Sequence, residues 1–225
     1  MKKVECAPSF LYTVSMRILI ARHGETDWNT RYIIQGKTDT DLNEHGLAQA
    51  QALCRNLKDS GYNIMHIFSS FQKRARVTAE TVGKGFGVPV RVLSGLEEMN
   101  LGMFEAHTWA DVMAQFPDEY ATFAADRRHH VISGGESYQL VLERFFRALD
   151  EALSIAGCAD GAAGSQNANG ADDGDILLVT HGGVMMPLLA LRDDLDFTVA
   201  WKRPIPNAEP VVFTRAELAA IRAKV

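Results

Sequence analysis

Cysteine is scarce in this 225-residue chain, and the three present, Cys6, Cys54 and Cys158, are widely spaced. An odd number at such spacing excludes a disulfide framework and a CxxC zinc site, and fits a reducing, cytoplasmic compartment. The HExxH spacing of zinc hydrolases is also missing, and no Cys/His cluster replaces it. No apolar run approaches the length of a membrane span. A basic surplus is absent too: 23 Lys and Arg face 28 Asp and Glu, a net charge of -5. That excludes a general nucleic-acid binder, although a small anionic ligand is still possible because local potential governs a pocket.

What remains is ordinary globular material, 47% hydrophobic and 23% charged, long enough to bury a core without disulfides or metals. Lys2 and Lys3 precede an apolar stretch too short for a signal peptide. Residues 1–15 are read as an upstream extension, and 16–225 as one catalytic domain. Residues 157–174 are small, polar and glycine-rich and are read as a flexible surface loop.

Short apolar runs alternate with helical periodicities. Strands are expected at 17–21, 64–68, 88–93, 176–180 and 211–213. Helices are expected at 42–60, 73–84, 136–155, 184–191 and 217–224. Leu47, Ala50, Leu53 or Cys54, and Leu57 mark the inner stripe of the first helix. Leu140, Val141, Phe145, Leu149 and Leu153 mark that of the third. Two shorter helices, 107–115 and 118–126, flank Pro117 and form an inserted helical lid near 104–135. This alternation indicates a three-layer α/β/α fold with a mostly parallel central sheet. Ligands then bind beyond the carboxyl ends of its strands.

Two strands run into the same dipeptide: Arg17–Glu25 and Asp175–Gly183 each end in His-Gly. If both are central and parallel, His23 and His181 emerge on one edge of the sheet, and Gly24 and Gly182 let the backbone approach an anion. One strand-end histidine alone is more often structural. A matched pair preceded by Arg22 is different, because a buried arginine without an anionic partner is costly. Arg74, with Lys73 and Arg76, puts positive charge in the first turn of a helix, where the dipole disfavours it. That placement suggests a bound anion. Arg127-Arg128-His129-His130 is a charge run, read as a solvated face or as contacts to a second anionic group.

Arg22-His23-Gly24-Glu25-Thr26, Trp28-Asn29, Gln35-Gly36 and Leu42-Asn43-Glu44-His45-Gly46 resemble the opening of the histidine phosphatase superfamily, which includes the phosphoglycerate mutases. Ser69-Ser70, Lys73-Arg74-Ala75 and Thr78-Ala79 resemble its second block. Leu96-Glu97-Glu98-Met99-Asn100-Leu101-Gly102 resembles its acid block. Gly134-Gly135-Glu136-Ser137 and Val179-Thr180-His181-Gly182-Gly183 complete the pattern, in order, from about 17 to 213. Phe71, Asp41 and Met103-Phe104-Glu105-Ala106 depart from it without removing a catalytic group.

The resemblance implies that His23 is the nucleophile and Glu98 the general acid and base. It implies that Arg22, Arg74 and His181 bind the phosphoryl group, with Asn29, Gly24 and Gly182 as secondary contacts. No metal is implied. The implied partner is a small phosphorylated substrate, acted on by a monomer or a homodimer. Three readings stand: a phosphatase, a phosphoglycerate mutase using 2,3-bisphosphoglycerate, and a non-catalytic phosphate-binding module. The short region after the acid glutamate favours the phosphatase, which needs no cofactor.

Overall fold

The computed structural model describes residues 16–157 and 174–225. Cys6, Cys158, the expected extension and nearly all of the expected loop lie outside them. The elements run β1 (Ile18–Arg22), α1 (Asp27–Thr30), α2 (Glu44–Asp59), β2 (Ile64–Ser69), α3 (Lys73–Phe86), β3 (Val90–Val92), α4 (Trp109–Gln115), α5 (Pro117–Ala125), α6 (Tyr138–Ile155), β4 (Asp175–Thr180), α7 (Gly182–Arg192), α8 (Phe197–Ala200), β5 (Pro210–Phe213) and α9 (Arg215–Arg222). The strands form one sheet in the order β3-β2-β4-β1-β5. β1, β2, β3 and β4 are parallel, and β5 pairs antiparallel with β1 at the edge.

Alternation along the central strands builds the layers. Ile18, Ile20, Ile176 and Leu178 point into a cluster with Val141, Phe145 and Leu149 of α6, Leu188 of α7 and Leu218 of α9. Leu19, Ala21, Leu177 and Val179 point the other way, onto Leu53 and Leu57 of α2 and Ala75, Ala79 and Val82 of α3. Successive strand side chains face opposite sides, so a sheet covered on both faces needs an unbroken apolar run. Each fully buried Val, Leu, Ile or Phe side chain contributes about 1.5–3 kcal/mol. The result is a three-layer α/β/α fold with a mixed, mostly parallel sheet.

Asp175 sets the register where the central strands begin. Its carboxylate accepts from Arg17 Nε at 2.8 Å and Nη2 at 2.6 Å, and from the Asn63 backbone N–H at 2.9 Å. One carboxylate thus ties together the chain segments entering β1, β2 and β4.

Several boundaries differ from the expectations, mostly for reasons of capping. α2 starts at Glu44, not at 42, because the Asn43 side chain accepts from the Gly46 N–H at 2.8 Å. α6 starts at Tyr138, capped by Ser137, which leaves Glu136 to another role described below. α9 starts at Arg215 behind a Thr214/Glu217 capping box. The short helices α1 and α8 were not expected. Leu47 and Leu140, assigned to inner stripes, are 43% and 42% exposed. They lie at the margin of each stripe, which narrower contacts already fill. Cys54 is buried on α2, as its position on the apolar face indicates. In the 104–135 region, Phe104, Val112 and Phe123 are fully buried in the α6–α7 core cluster. No helix among the described residues is long and apolar enough to cross a membrane.

Candidate active site

β1 and β4 are adjacent and parallel, with Arg22 paired to Thr180 at their carboxyl ends. The next residue on each strand is a histidine. The His23 N–H donates to the Thr180 carbonyl at 3.0 Å, which extends the ladder by one step. The rings of His23 and His181 then lie 5.2 Å apart between centroids, tilted by 55°. Both are buried, at 1% and 0% exposure.

His23 Nδ1 lies 2.7 Å from the Gly24 carbonyl. A carbonyl only accepts, so Nδ1 carries the ring proton and Nε2 keeps its lone pair. Burial, then Arg22 and Arg74, hold the His23 pKa well below the usual histidine range. Burial and then Arg74 do the same for His181. Both rings are therefore neutral near neutral pH, and an unprotonated Nε2 is a competent nucleophile.

Two arginines approach the same place. Arg74 is fully buried, and its guanidinium donates to the Thr38 and Gly36 carbonyls at 2.7 and 2.9 Å. Arg22 donates to the Ile205 carbonyl at 2.8 Å. These backbone anchors aim each guanidinium yet leave atoms over. Arg22 Nε, Arg74 Nε and both His181 ring nitrogens are buried without a hydrogen-bond partner among the described residues. Buried donors are seldom left unpaired, and here they collect around two cations with no paired carboxylate. An oxyanion is the ligand that such a set satisfies.

Lys73 and Arg76, grouped with Arg74 from the sequence, do not join it. Lys73 pairs with Asp41 at 3.6 Å, and Arg76 with Glu80 at 3.6 Å, both at the surface. Only Arg74 lies on the buried side of α3. Gly24 also differs from expectation. Its N–H donates to Thr78 Oγ1 at 3.0 Å, and an added Cβ would lie 2.4 Å from the Gly46 carbonyl oxygen. Glycine is required there for packing of one backbone on another, and its N–H is already taken. Asn29 lines the cleft, and its Oδ1 accepts the Thr26 N–H at 3.1 Å, which leaves its amide NH2 toward the opening. Gly182 is the first residue of α7, where helix N–H groups are free to meet an anion.

Glu98 is 9% exposed and borders the same floor. Its Oε1 accepts from the Gly183 N–H at 2.9 Å and the Met99 N–H at 2.8 Å, which leaves Oε2 as the oxygen that takes up a proton. Desolvation raises its pKa, opposed by Arg74, the Met99 N–H and Arg22. A Cβ at Gly183 would fall 2.4 Å from Oε1; the second glycine of the His-Gly-Gly run makes room for this carboxyl.

Four supporting residues were given no role from the sequence. Gln72 Oε1 accepts the Glu98 N–H at 2.8 Å, while its Nε2 donates to the Gly36 carbonyl at 2.9 Å. Arg144 on α6 donates to the Gly95 and Glu97 carbonyls, both at 2.8 Å, and to Glu98 O at 3.2 Å. It also forms a two-point pair with Glu136 at 2.9 and 3.1 Å. Asn207 donates to the His23 carbonyl at 2.8 Å. Thr78, quoted only within a motif, binds Gly24. Gln72 and Asn207 left no trace in the sequence, whereas Thr78 stood inside a quoted motif and Arg144 could be placed only by its helical phase.

The charge run 127–130 is not one solvated face. Arg127 is 5% exposed, with its guanidinium 4.1 Å from the Trp201 ring centre and 4.6 Å from that of Phe123. Arg128 binds Gln139 and the Lys224 carbonyl, His129 meets Asp126, and His130 meets Glu119. None of the four lines the cleft, a cavity of about 500 Å³. Among the described residues, no group of three or more His, Cys, Asp or Glu is placed to hold a metal ion.

Residues 18–219 match the histidine phosphatase superfamily (branch 1). The chain is 30% identical over 175 residues to the adenosylcobalamin/alpha-ribazole phosphatase of Salmonella typhimurium, covering 78% of each chain. It is 34% identical over 174 residues to the glucosyl-3-phosphoglycerate phosphatase of Mycolicibacterium vanbaalenii, covering 77% of this chain and 72% of the other. Among solved structures, a mycobacterial glucosyl-3-phosphoglycerate phosphatase complexed with VO3 superposes with a TM-score of 0.71 at 29% identity. That match covers 89% of this chain and 91% of the other. The two strand-end histidines and their arginines thus stand in a chain matched along nearly its whole described length, and the protein is an enzyme that belongs to branch 1 of the histidine phosphatase superfamily.

Proposed function

We propose that the protein hydrolyses phosphomonoesters of small metabolites through a phosphohistidine on His23, without a metal ion. One observation carries the reading: two buried neutral histidines meet at the ends of adjacent parallel strands, beside two buried arginines with unpaired Nε groups.

In the first step, His23 Nε2 attacks phosphorus, the bond to the leaving oxygen breaks, and Glu98 gives that oxygen its proton. Arg22, Arg74 and His181 donate to the equatorial oxygens as charge spreads over them. The helix N-terminus at Gly182 and the Asn29 amide add weaker donors. In the second step, the Glu98 carboxylate takes a proton from water, whose oxygen attacks phosphorus. The P–N bond breaks and His23 returns to its neutral form.

The surroundings of the cleft favour water over a second substrate oxygen as the acceptor. A mutase must grip a phosphorylated sugar acid at both ends. Beyond the floor, the cleft's cation among the described lining residues is Arg203, and it is paired with Asp193 at 3.3 Å. Arg127 is turned away against Trp201 and Phe123.

The test is p-nitrophenyl phosphate turnover in EDTA, with acid-quench trapping of the phosphoenzyme. Activity should survive EDTA, and His23→Ala should abolish both turnover and the acid-labile label. Full labelling of the variant would move the nucleophile elsewhere, and a strict need for added metal would overturn the mechanism.

A further inference from the structure

The outer cleft is aromatic to a degree that phosphoryl transfer does not require. Trp28, Tyr32, Trp109, Tyr138 and Trp201 line it above the floor. Two of these are fixed at a right angle to one another. The Trp109 ring lies parallel to Phe123, with an interplanar angle of 2° and centroids 6.0 Å apart. It meets Trp201 edge-on at 5.1 Å and 86°. Trp201 is backed in turn by the Arg127 guanidinium at 4.1 Å, a cation–π contact in a desolvated setting. The buried arginine with two unpaired nitrogens, Nε and Nη1, thus serves as a backing for one wall of the cleft.

Tyr32 stands apart at the rim. It is 81% exposed and sits at φ +55°, in the left-handed region that a bulky side chain rarely adopts. Its ring borders the cleft with most of its surface in water, where a ligand entering the cleft would cover it.

Charge is sparse in the same space. Above the floor the ionisable lining groups are Glu25, which accepts from Asn43 Nδ2 at 3.0 Å, and the paired Arg203. Neither offers a free cation to a carboxylate or second phosphate. Polar recognition falls instead to the Gln35 and Asn207 amides. A cavity of about 500 Å³ admits a ligand of nucleoside size.

We propose that the leaving alcohol of the substrate carries a flat, uncharged heteroaromatic ring, of nucleoside type, that packs on Trp109, Trp201 and Tyr32. The proposal rests on the phosphatase reading and narrows its substrate. Stacking on an aromatic side chain, judged by alanine substitution, changes binding roughly 5- to 150-fold per ring.

The experiment compares kcat/KM for adenosine 5′-monophosphate, glycerol 3-phosphate and 3-phosphoglycerate. The nucleotide should exceed both others by at least about 5-fold. Tyr32→Ala, at an exposed position that folding tolerates, should lower kcat/KM for the nucleotide more than for glycerol 3-phosphate, chiefly through KM. Trp201→Phe, which keeps a ring over Arg127, should lose less than Trp201→Ala. Equal or better use of either non-aromatic ester, or equal losses on all three substrates in Tyr32→Ala, overturns the ring assignment. Phosphoenzyme trapping with p-nitrophenyl phosphate separates the two failures. If the label forms while glycerol 3-phosphate is preferred, only the ring is wrong. If no label forms, the phosphohistidine reading has failed first.

Discussion

Acid should destabilise this protein through its two buried strand-end histidines, by an amount that can be worked out. His23 and His181 are buried, and burial with the nearby arginines holds both pKa values well below the usual range in the folded state. In the unfolded chain each returns to about 6.5. A lowered folded pKa gives stability that is present above the unfolded pKa and lost as pH falls below it, because only the unfolded chain then takes up the proton. Between pH 7.5 and 5.5, an unfolded histidine of pKa about 6.5 gains about 1.4 kcal/mol from protonation while the folded ring stays neutral. Two rings together cost about 2.7 kcal/mol over that interval. Glu98 acts in the opposite sense. Its pKa is raised by burial, so its contribution is complete below the unfolded carboxyl value and lost as pH rises through the folded one. Comparing variants isolates the histidine contribution from that of Glu98 and of the other histidines. Urea unfolding of the wild type and of His181→Asn, each at pH 7.5 and 5.5 without phosphate, should show the wild type losing about 1.4 kcal/mol more than the variant. Equal losses in the two proteins would mean that His181 takes up its proton as readily in the folded state as in the unfolded chain, and the assignment of a depressed pKa would be wrong.

Two further perturbations probe the acid. Glu98→Gln should slow alkyl phosphates, which leave as poor leaving groups, by roughly 10²–10⁴. The same variant should slow p-nitrophenyl phosphate much less; a uniform loss across leaving groups argues against proton donation. Arg144→Met removes the guanidinium that holds the Gly95, Glu97 and Glu98 carbonyls and pairs with Glu136. Breaking such a largely buried pair costs about 3–5 kcal/mol. In the fraction that still folds, the dependence on leaving group should steepen toward that of Glu98→Gln. Arg144→Lys should restore only part of it, since an ammonium cannot reproduce the fork. Thermal unfolding and a series of aryl and alkyl phosphates read both effects.

The fold was largely legible because its strands carry their own signature. Residues 18–21 and 176–179 are short, unbroken and apolar, as strands covered on both faces have to be, and each run is bounded by polar residues. Helix ends were less legible. Asn43 and Ser137 set them through single side-chain hydrogen bonds and Thr214 through its box with Glu217, and such residues are common enough in loops to be passed over. α1 and α8, four residues each, are too short to show a periodicity. Leu47 and Leu140 were misjudged because periodicity gives an angle around the helix axis, not the width of the surface that covers it.

At the site, the division follows sequence separation. His23, His181, Arg22 and Arg74 each lie within a few residues of a strand end, so reading the strands located them. Their chemical states were set by contacts the sequence does not order: the Gly24 carbonyl fixing the His23 proton, the Gly183 N–H and burial acting on Glu98, and Gln72 and Arg144 gripping the acid loop from α3's start and from α6. The charge run at 127–130 shows the limit most clearly. Four adjacent ionisable residues read as one patch, yet the fold buries the first against Trp201 and Phe123 and sends the others to separate partners. Local pattern determined which strands end in histidine and where the proposed phosphoryl site falls. Tertiary packing alone decided which cations face that proposed site, which are spent on carbonyls or aromatic rings, and what lines the cleft above, because those depend on side chains brought together from distant parts of the chain.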